Sequence, residues 1–599
     1  MRIIVCVKWV PALGSLRFDP ETRRLVREGV PGEVSSFDLR ALGAAVALRA
    51  AHGGEVVALS MGPPGAREGL VECLALGADR ALHLLDPWLA GSDTLATARA
   101  LAAVLTREAP DLVLFGRAST DAETGQVGPE VAEMLDLPQV TGARRLELDP
   151  AARIFVAERE TDEGFETVTG PLAAVVTAAE DLAEERFPTK AERQAAAAKS
   201  IATLGAAEVG LASDDVGAKG SPTWVAGIEQ VPSTRRSEML AGDSPEALAR
   251  ALGERLRQLA PPRDDRPALP ARGVASGAPV WVVAELGPRG PKPVTAELLA
   301  KAAELAARLG APVEALVLGE GAQHAPALAA AGADRVLLAE GAGLVPYTTD
   351  AHAAVLAEAI RTRAPRLVLV ASTARGRDLA PRVAARLGLG LTGDAIDLDL
   401  DAEGRVRQMK PAFGGAIVAP ILSRTRPEMA TVRPGILRPA RPDPTRQAVV
   451  ERIGVPAVPL RLRVLSERPL GDAAGAALEA ADLVLGVGRG IGGPAALPAI
   501  TALAARLGAA VAATRDVTDL GWLPKQHQVG LTGRAIAPRL YVAIALSGAP
   551  EHVVGLRRAG VIVAINKNPK APVFKAADLG IVSDYAPLLP LLEAALRPS

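Results

Sequence analysis

The chain has 599 residues, of which 49% are hydrophobic and 23% are charged. It is too long for a single core, and its composition is that of an ordinary globular protein with roughly three to five domains. Its 67 basic and 68 acidic residues give a net charge of −1. There is no basic excess to bind a phosphate backbone, which argues against a nucleic-acid partner.

The sequence contains two cysteines, Cys6 and Cys73, which are too few for a disulfide framework or a zinc site. The N-terminal sequence MRIIVCVKWVP lacks the long apolar core of a signal peptide. No apolar run reaches about 18 residues without a charge or a turn signal, so we expect no membrane span. Together these features predict a cytoplasmic protein.

Short β-branched runs alternate with longer stretches rich in Ala, Leu, Arg and Glu. The runs are nearly continuous in apolar character, as expected for strands buried on both faces of a sheet. This alternation predicts βαβ units and parallel sheets. The runs are Ile3–Val7, Val56–Ser60, Leu112–Phe115, Val280–Ala284, Leu367–Val370, Leu483–Val487 and Val561–Ile565.

An internal duplication spans the first two thirds of the chain. The segment Gly77-Ala-Asp-Arg-Ala-Leu recurs from Gly332 as Gly-Ala-Asp-Arg-Val-Leu, and Ala109-Pro-Asp-Leu-Val-Leu recurs from Ala364 as Ala-Pro-Arg-Leu-Val-Leu. Both offsets are 255 residues (332 − 77 and 364 − 109). A period this long is not that of a solenoid, so it predicts two homologous α/β domains.

Two stretches rich in Pro and charged residues divide the chain, one at residues 261–277 and one near Arg438–Thr445. Such composition is typical of exposed connections. We therefore predict an α/β protein with three doubly wound parallel-sheet domains. The homologous repeats occupy residues 1–260 and 278–440, joined by the Pro-rich linker at 261–277, and the third domain occupies residues 454–599.

A glycine-rich turn follows the strand predicted at Leu483–Val487. Gly488, Gly490 and Gly493 satisfy the pattern G-x-G-x-x-G. Such a turn presents backbone N–H groups and the positive end of a helix to a phosphate. A tight strand-to-helix turn without a ligand has the same pattern, so the motif alone leaves both interpretations open.

Four further loops in the last domain adjoin predicted strands, and they contain Thr514, Gln528, Ser547 and Asn566. In a parallel sheet, the loops after the strands meet at the carboxyl edge, where ligands bind. Side chains from these loops are therefore predicted to converge on one large anionic nucleotide. They are Arg489, Arg515, Thr532, Ser547, His552 and Asn566.

In their order, these loops resemble the flavin-binding domain of the electron-transfer flavoprotein α subunit. The matching segments are Gly-Arg-Gly, Thr-Arg-Asp, Gln-x-Gly-x-Thr-Gly, Ser-Gly-Ala-x-x-His, Ala-Ile-Asn-Lys and Asp-x-Gly-Ile-Val-x-Asp. Thr514, Leu531 and Glu551 replace a serine and two glutamines usual in the family, which bears on the flavin potential. The resemblance implies FAD contacts from Arg489, Thr514, Arg515, Gln528, Thr532, Gly533, Ser547, Gly548, Ala549, His552, Asn566 and Asp584.

The chemistry of these side chains suits a flavin. A one-electron carrier must stabilise negative charge near flavin N1 and the C2 carbonyl, which a hydrogen-bond donor or a cation does. His552, in the first turn of a predicted helix, is placed to stabilise this charge, and the helix dipole adds to its effect. Arg515 is placed to raise the electron affinity of the flavin from the other end of the ring. The alternatives are a surface histidine, a solvated arginine and, for Asp584, a helix N-cap.

The two repeats resemble the rest of the same family. Residues 1–260 are similar to the β subunit, through Val5-Cys-Val-Lys-Trp-Val-Pro and Asp121-Ala-Glu-Thr-Gly-Gln-Val-Gly-Pro. Residues 278–437 are similar to the first domain of the α subunit, through Thr431-Val-Arg-Pro-Gly. The two subunits are usually separate chains, and here they are fused, β before α.

This resemblance implies a second nucleotide in the first repeat, which is AMP in the common branch of the family and FAD in the bifurcating and nitrogen-fixation-associated branch. Asp93-Thr-Leu-Ala-Thr97 and Thr124-Gly-Gln-Val-Gly-Pro129 resemble the latter branch, whereas Ser36-Phe37 replaces the Asn-Pro usual there. A helix cap at Asp93 and a glycine turn at Gly125 are the alternatives. The implied contacts are Cys6, Ser60, Gly62, Asp93, Thr94, Thr97, Asp121, Thr124, Gln126 and Val127.

The function implied is an electron carrier rather than a classical enzyme, shuttling electrons from a flavin-dependent dehydrogenase to a quinone oxidoreductase or similar acceptor. With a second FAD it would belong to an NADH-dependent bifurcating oxidoreductase. Lys190 lies in the segment matching the family's recognition loop, where a leucine is usual, and this indicates a different donor. Two other interpretations stay open: an NAD-dependent dehydrogenase with Asp516 as the ribose acid, and a non-redox nucleotide-binding regulatory module.

Overall fold

The computed structural model describes residues 1–596 except 13–16, 19–24, 27–30, 197, 231–234, 236, 260–265, 272–275, 288–289, 342, 413–416, 470, 472, 531–532 and 557. Part of the predicted linker and Thr532 thus lie outside the described residues. The strands predicted from the apolar runs are confirmed, each within one or two residues of its expected ends. The predicted α/β fold with parallel sheets is also confirmed.

Residues 1–260 form strands β1 (Arg2–Cys6), β2 (Trp9–Pro11), β3 (Arg17–Phe18), β4 (Leu25–Val26), β5 (Gly32–Val34), β6 (Glu55–Met61), β7 (Arg80–Leu84), β8 (Leu112–Gly116), β9 (Gln139–Asp149), β10 (Ile154–Glu160), β11 (Gly164–Pro171), β12 (Ala174–Ala178), β13 (Ile201–Leu204), β14 (Thr223–Val225), β15 (Glu229–Gln230) and β16 (Glu238–Met239). Their helices are α1 (Ser36–His52), α2 (Ala66–Ala75), α3 (Thr94–Glu108), α4 (Val127–Met134), α5 (Lys190–Ala196), α6 (Gly217–Gly220) and α7 (Pro245–Leu259).

Residues 278–452 form strands β17 (Val280–Ala284), β18 (Leu286–Gly287), β19 (Gly290–Pro291), β20 (Val313–Leu318), β21 (Arg335–Ala339), β22 (Leu367–Ala371), β23 (Leu391–Ala395), β24 (Asp397–Leu400), β25 (Val406–Ala412), β26 (Ile417–Ser423), β27 (Glu428–Val432) and β28 (Val449–Arg452). Their helices are α8 (Pro293–Leu309), α9 (Ala325–Ala330), α10 (Thr349–Arg363) and α11 (Ala374–Leu387).

The remaining residues form strands β29 (Arg463–Pro469), β30 (Leu483–Val487), β31 (Ala510–Ala513), β32 (Leu540–Ile544), β33 (Val561–Asn566) and β34 (Leu579–Val582). Their helices are α12 (Ala473–Ala480), α13 (Leu497–Leu507), α14 (Arg515–Asp519), α15 (Pro550–Val553), α16 (Val573–Ala576), α17 (Tyr585–Leu588) and α18 (Leu592–Leu596).

The two repeats contain the same parallel sheet. In the first the strand order is β13-β7-β6-β1-β8-β12-β9, and in the second it is β28-β21-β20-β17-β22-β27-β23. Helices α3 and α10 both end at an alanine in the left-handed conformation, Ala109 (φ 47°) and Ala364 (φ 45°), which are equivalent residues at the 255-residue offset. Apolar side chains are buried on both faces of each sheet, as strands of nearly continuous apolar character require.

Strands are exchanged between parts of the chain that are distant in sequence. The hairpin β25–β26 of the second repeat is extended by β14 and β15, which come from the first. The hairpin β10–β11 of the first repeat is extended by β29, which precedes the third domain. Residues 463–469, which the sequence places in the last domain, therefore belong to the first sheet.

The third sheet has the order β16-β34-β33-β32-β30-β31, all parallel. Its edge strand β16 and the neighbouring helix α7 come from the end of residues 1–260. Leu248 and Leu252 of α7 are buried in the same core as Leu588, Leu592 and Leu596 of the C-terminal helices. The third domain is thus built from segments on both sides of the linker.

A polar interface joins the repeats. Arg382 of α11 is 1% exposed, and its Nε donates to Glu133 Oε2 at 2.5 Å. Gln126 Nε2 donates to Leu391 O at 3.2 Å, and Gln139 Nε2 donates to Asp378 Oδ1 at 2.9 Å. These last two contacts are equivalent, since 378 − 126 and 391 − 139 both equal 252. The repeats therefore face each other about an approximate two-fold axis.

Candidate nucleotide-binding sites

Each of the three sheets has one place where the chain reverses its direction of winding: between β1 and β8, between β17 and β22, and between β30 and β32. The loops that leave two such strands turn to opposite faces, which opens a crevice at the carboxyl ends. Those predicted site residues that the structure describes lie at or beyond the carboxyl ends of strands in the first and third sheets. Within the described residues, no group of three or more His, Cys, Asp or Glu side chains is placed to hold a metal ion.

At the third crevice, the glycine-rich turn after β30 lies against the loop after β32. Gly488 N donates to Ile544 O at 3.1 Å, and Gly490 N donates to Ala545 O at 3.2 Å. A Cβ at Gly490 would lie 2.4 Å from Ala545 O. These two glycines therefore permit the close approach of two protein loops.

The second half of the turn is open. Gly492 (φ 91°) and Gly493 (φ 153°) are in conformations that favour glycine, and a Cβ on either would meet no atom within 4 Å. Short 3₁₀ turns at 489–491 and 494–496 precede α13, so the long helix does not begin directly after the motif as predicted. The open glycine backbone leaves space that a phosphate can approach.

Thr514 gives an independent indication of a ligand. Its backbone N donates to Val487 O at 3.1 Å, which places the residue beside the glycine-rich turn. Its Oγ1 is buried and has no hydrogen-bond partner among the described residues. A buried hydroxyl without a partner costs about 1–3 kcal/mol, so a bound polar group would satisfy it. This donor set fits a flavin nucleotide.

The two predicted cations both face solvent. Arg515 Nε donates to Asp519 Oδ2 at 3.1 Å, and the arginine side chain is 51% exposed. Arg489 is exposed on the glycine-rich turn.

Ser547 and Ala549 are exposed on the loop after β32. Between them Gly548 (φ 83°) is buried, and its missing Cβ leaves room for the backbone of α16.

The loop after β31 is held by side-chain contacts. Gln528 is buried, and its Oε1 accepts a hydrogen bond from Thr518 Oγ1 at 2.9 Å. Gly533 lies against Gln528, because a Cβ there would be 2.4 Å from Gln528 O. The loop therefore packs on α14, next to Arg515.

The last two predicted contacts also have structural partners. Asn566 Nδ2 donates to Leu546 O at 2.9 Å and ties the ends of β33 and β32 together. Asp584 Oδ1 accepts from Ala586 N at 2.9 Å, which is the helix N-cap considered as the alternative. Asn566 Oδ1 also accepts from Asn568 N at 2.8 Å, so both ends of this amide are already engaged. Both residues lie at the carboxyl edge of the third sheet, Asn566 at the end of β33 and Asp584 after β34.

His552 differs from the expected cation. It lies in the first turn of α15, but the ring is 5% exposed, and both nitrogens are engaged: Nδ1 with Val529 O at 2.9 Å and Nε2 with Tyr541 Oη at 2.8 Å. Burial lowers the pKa of His552 to about 4, and the hydrogen bond to Val529 only partly opposes this. The imidazole is therefore neutral at neutral pH, and its direct role here is to fix the loop at Val529.

At the first crevice, Cys6 ends β1, and Ser60 and Gly62 lie at the end of β6. Cys6 is buried, and burial raises the pKa of its thiol well above the ordinary value, so it is not a reactive thiolate. Ser60 is 1% exposed, and its Oγ has no partner among the described residues. Asp121, on the loop after β8, accepts from Lys8 Nζ at 2.8 Å.

The predicted residues around α3 carry structural contacts. Asp93 caps the helix through Ala96 N at 3.0 Å, and its other oxygen accepts from Thr223 Oγ1 at 2.7 Å. Thr94 Oγ1 donates to Glu130 Oε1 at 3.0 Å. Thr97 lies one turn into the helix, with its N bonded to Asp93 O. The helix-cap alternative for Asp93 is therefore seen in the structure.

The loop before α4 faces the second repeat. Gln126 is 2% exposed and donates to Leu391 O. The Thr124 carbonyl lies 3.2 Å from the Cβ position of Gly393. Val127 begins α4. Sequence reasoning missed Thr120, whose Oγ1 is also buried without a partner in the described part of the chain. Nothing in the sequence distinguishes this threonine from others.

One acidic residue connects the loops of the two crevices. Glu180 accepts from Arg117 Nη1, directly after β8, at 2.9 Å, and its carboxylate is 3.4 Å from Lys525 Nζ of the third domain. Burial raises the pKa of Glu180, but Arg117 and Lys525 outweigh it and hold the value at about 2. The third domain is thus docked on the first repeat with its crevice loops close to those of the first.

The fold and these crevices define an α/β nucleotide-binding protein with a duplicated base and a third binding domain. A family model for the electron transfer flavoprotein domain matches residues 22–209 and 280–458, and a model for the electron transfer flavoprotein FAD-binding domain matches residues 477–557. The chain therefore belongs to the electron transfer flavoprotein family, and the electron-transfer function and the flavin cofactor predicted from the sequence are confirmed.

Similar proteins match about half of the chain. An electron transfer flavoprotein subunit alpha of Thermoanaerobacterium thermosaccharolyticum is 40% identical over 317 residues, which are 52% of this chain and 96% of that protein. Protein FixB of Bradyrhizobium diazoefficiens is 40% identical over 326 residues, which are 53% of this chain and 88% of that protein. The acryloyl-CoA reductase electron transfer subunit beta of Anaerotignum propionicum is 33% identical over 339 residues, which are 50% of this chain and 90% of that protein.

No helix in the described ranges is both long enough and apolar enough to cross a membrane.

Proposed function

We propose that this chain carries electrons on an FAD held at the carboxyl edge of the third sheet, between a flavin-dependent dehydrogenase and a quinone oxidoreductase or similar acceptor. The observation that carries this placement is the buried, unpartnered Thr514 Oγ1 beside the open backbone of Gly492 and Gly493. When bound, the flavin supplies the redox chemistry. The chain binds and orients it and sets the charge around it.

The residues around this FAD have distinct roles. Gly492 and Gly493 receive the phosphates, because only glycine leaves the backbone amides so open there. Arg489 and Arg515 make the rim of the crevice positive and so attract the anionic cofactor. His552, being neutral and buried, positions the chain at Val529 instead of contributing charge.

The first repeat binds a second adenine nucleotide, FAD or AMP, at the crevice between β1 and β8. Two buried hydroxyls without partners, Ser60 Oγ and Thr120 Oγ1, support this site. Ser60 lies near the end of β6 and Thr120 on the loop after β8, the two strands that flank β1 in the sheet, and a polar ligand at this edge would satisfy both hydroxyls. Asp121, Thr124 and Gln126 border the same crevice from the loop after β8.

In the second repeat, a carboxylate takes a position that a phosphate could otherwise occupy. Asp162, on the β10–β11 connection, accepts a hydrogen bond at 2.9 Å from Ala374 N at the start of α11. A negative charge at the start of a helix disfavours a second anion there.

Electron bifurcation depends on which nucleotide the first repeat holds. In the bifurcating and nitrogen-fixation-associated branch that the first repeat resembles in sequence, this nucleotide is FAD. Identification of the nucleotide in the first repeat therefore decides whether this chain has the second flavin of that branch. The exposed Phe187, with 65% of its surface accessible before Lys190, is the apolar group on the segment that would meet a donor protein.

The test is to denature the purified full chain and identify the released nucleotides by chromatography, after recording the visible spectrum. One FAD and one AMP support a single-flavin carrier, and two FAD per chain support bifurcation. A colourless protein contradicts the proposal. Replacing Thr124 and Gln126 by alanine should release the second nucleotide and leave the third-domain FAD bound, whereas loss of both would mean that the variant has unfolded or the sites are one.

A further inference from the structure

A buried group of charges lies on the second repeat, opposite the loop that precedes α4. It contains Lys410 on β25, Asp394 on β23, and Arg433 just after β27. Arg377 contributes from α11, and Glu123 from the facing loop of the first repeat. Burial raises the pKa of Glu123 to about 7, and the cations Lys410 and Arg433 act against it. The group therefore spans the interface between the repeats.

The carboxylate of Asp394 is already used by two arginines. Arg433 Nε donates to its Oδ2 at 3.0 Å, and Arg377 Nη2 donates to its Oδ1 at 3.1 Å. Burial raises the pKa of Asp394, but Arg433, Arg377 and Lys410 outweigh it and hold the pKa well below the usual range. Three cations face two carboxylates here, which leaves at least one unbalanced positive charge.

Lys410 is the cation without a partner. The residue is 7% exposed, and Nζ is buried with no hydrogen bond to any described residue. Burial lowers the pKa of Lys410 to about 8. Arg433 Nη1 is likewise buried and unpartnered. Buried cations are normally paired, because an unpaired charge in the interior is strongly unfavourable.

Other polar atoms on the same strands are also unsatisfied. Gln408, two residues before Lys410 and therefore on the same face of β25, is fully buried, and neither its Nε2 nor its Oε1 has a partner in the described part of the chain. Thr392 lies two residues before Asp394 on β23, and its Oγ1 is also buried without a hydrogen-bond partner among the described residues. Unsatisfied atoms on adjoining strands indicate a missing polar ligand, since buried polar groups are nearly always hydrogen-bonded.

A buried cation of the first repeat provides a contrast. Arg159 on β10 is 5% exposed, its Nε donates to Glu166 Oε2 at 2.6 Å, and its guanidinium is 3.9 Å from Asp378 Oδ1. No carboxylate among the described residues lies within hydrogen-bond distance of Lys410 Nζ. Of these two buried cations, Lys410 is therefore the one left available for a ligand.

We propose that Lys410 and Arg433 of the second repeat bind the negatively charged or carbonyl-bearing part of the nucleotide held by the first repeat. This inference rests on the second nucleotide proposed above. The two walls are in contact, since Gln126 Nε2 bonds to Leu391 O and lies 3.1 Å from the Cβ position of Gly393. The site accordingly spans both repeats, and their fusion in one chain fixes the two walls to each other.

The test compares Lys410→Met with Lys301→Met in the full chain after the second nucleotide has been stripped. Lys301 is an ion-paired control, bonded to Glu304 at 2.9 Å and Asp397 at 3.1 Å. FAD and AMP are titrated separately by calorimetry, and the melting temperature of each ligand-free protein is measured. Lys410→Met should weaken binding of the occupant by about tenfold or more, because a charge-assisted hydrogen bond is lost. The probe whose affinity falls identifies the occupant.

The same variant should raise the melting temperature of the ligand-free protein by about 2–4 °C, because it removes an unpaired buried charge. Lys301→Met should lower it slightly and leave both affinities unchanged. A lower melting temperature with both affinities within twofold of wild type would show that Lys410 is structural and overturn the inference. Gln408→Leu is the second variant in case Lys410→Met does not fold. It should also weaken binding of the occupant and raise the melting temperature of the ligand-free protein, because it removes two unsatisfied buried polar atoms.

The two proposals fail in different ways. If the wild-type chain releases a single FAD and binds neither probe a second time, the proposed nucleotide of the first repeat is wrong and this inference falls with it. If the wild type binds a second nucleotide and Lys410→Met binds it equally well, the nucleotide stands and the role of the second repeat is wrong.

Discussion

Asp162 of the first repeat accepts a hydrogen bond at 2.9 Å from the backbone amide of Ala374, the first residue of α11 in the second repeat. A side chain of one repeat thereby occupies the helix end that would otherwise attract an anion to the other. Duplicated domains can diverge in ligand binding through such a contact without any change in fold. The approximate symmetry of the base is retained, and under the proposal above only the first repeat binds a nucleotide.

Asp162→Ala should therefore destabilise the base by about 1 kcal/mol, the effect of losing one carboxylate at a helix start whose N-cap, Thr373, stays in place. Glu163→Ala is the control, since its side chain is 56% exposed and its partner Lys292 also bonds to Glu285. Urea unfolding followed by circular dichroism measures both. Equal stability losses in the two variants would mean that the carboxylate of Asp162 does not stabilise the start of α11.

Leu252 tests the composition of the third domain. It lies on α7, before the linker, yet it is fully buried in the core of the third sheet. Leu252→Ala should cost about 2–5 kcal/mol and release FAD at a lower temperature, as followed by flavin fluorescence. Glu254→Ala, on the exposed side of the same helix, should change neither. Retention of FAD to the wild-type temperature in Leu252→Ala would contradict this assembly.

Arg515 and Asp519 form an opposed pair at the rim of the proposed flavin site. Arg515→Ala should lower the first-electron potential, and Asp519→Asn should raise it, because the two changes alter the local charge in opposite directions. With the guanidinium half exposed, solvent screening limits each effect to about 1 kcal/mol, or roughly 40 mV for one electron. Spectroelectrochemical titration at full FAD occupancy measures the shift. If both variants shifted the first-electron potential in the same direction, Arg515 would not act on the flavin through its charge.

His552 predicts a loss of stability in acid. Its pKa is about 4 in the folded chain and about 6.5 when unfolded, so the unfolded chain binds more protons between these values. Stability is therefore complete above about pH 6.5 and falls as the pH decreases toward 4, by about 3 kcal/mol in all. Urea unfolding at pH 7 and pH 4.5 should show a smaller difference for His552→Asn than for wild type. Burial also lowers the pKa of His352 to about 4. Its contribution to the loss of stability in acid is therefore the same in wild type and in His552→Asn.

Several features of the site could be predicted from sequence because they are local. The strand before each loop is a continuous apolar run, and residues such as Thr514, Ser547 and Asn566 follow directly from it along the chain. Once the sheet is known to be parallel, all of these loops must meet at one edge. The glycines at 492 and 493 are likewise a local requirement of the turn.

Other features could not be predicted, since they depend on what surrounds a side chain. His552 and Arg515 were equally plausible cations in the sequence, but one is buried against Tyr541 and Val529 and neutral, and the other is solvated. Lys410 is an ordinary lysine in a β-strand pattern. Its importance comes from burial and from Asp394 being shared by two arginines that reach it from other elements.

The sequence by itself determined the α/β class, the duplication, the family and the order of the loops, because these follow from apolar periodicity and short motifs that each segment carries alone. Only the tertiary structure decided which segments complete which sheet. Strands β14, β16 and β29 pair with domains other than those that precede them in the chain. Strand pairing is fixed by backbone hydrogen bonds at exposed sheet edges, and an edge accepts a strand from any part of the chain that can reach it.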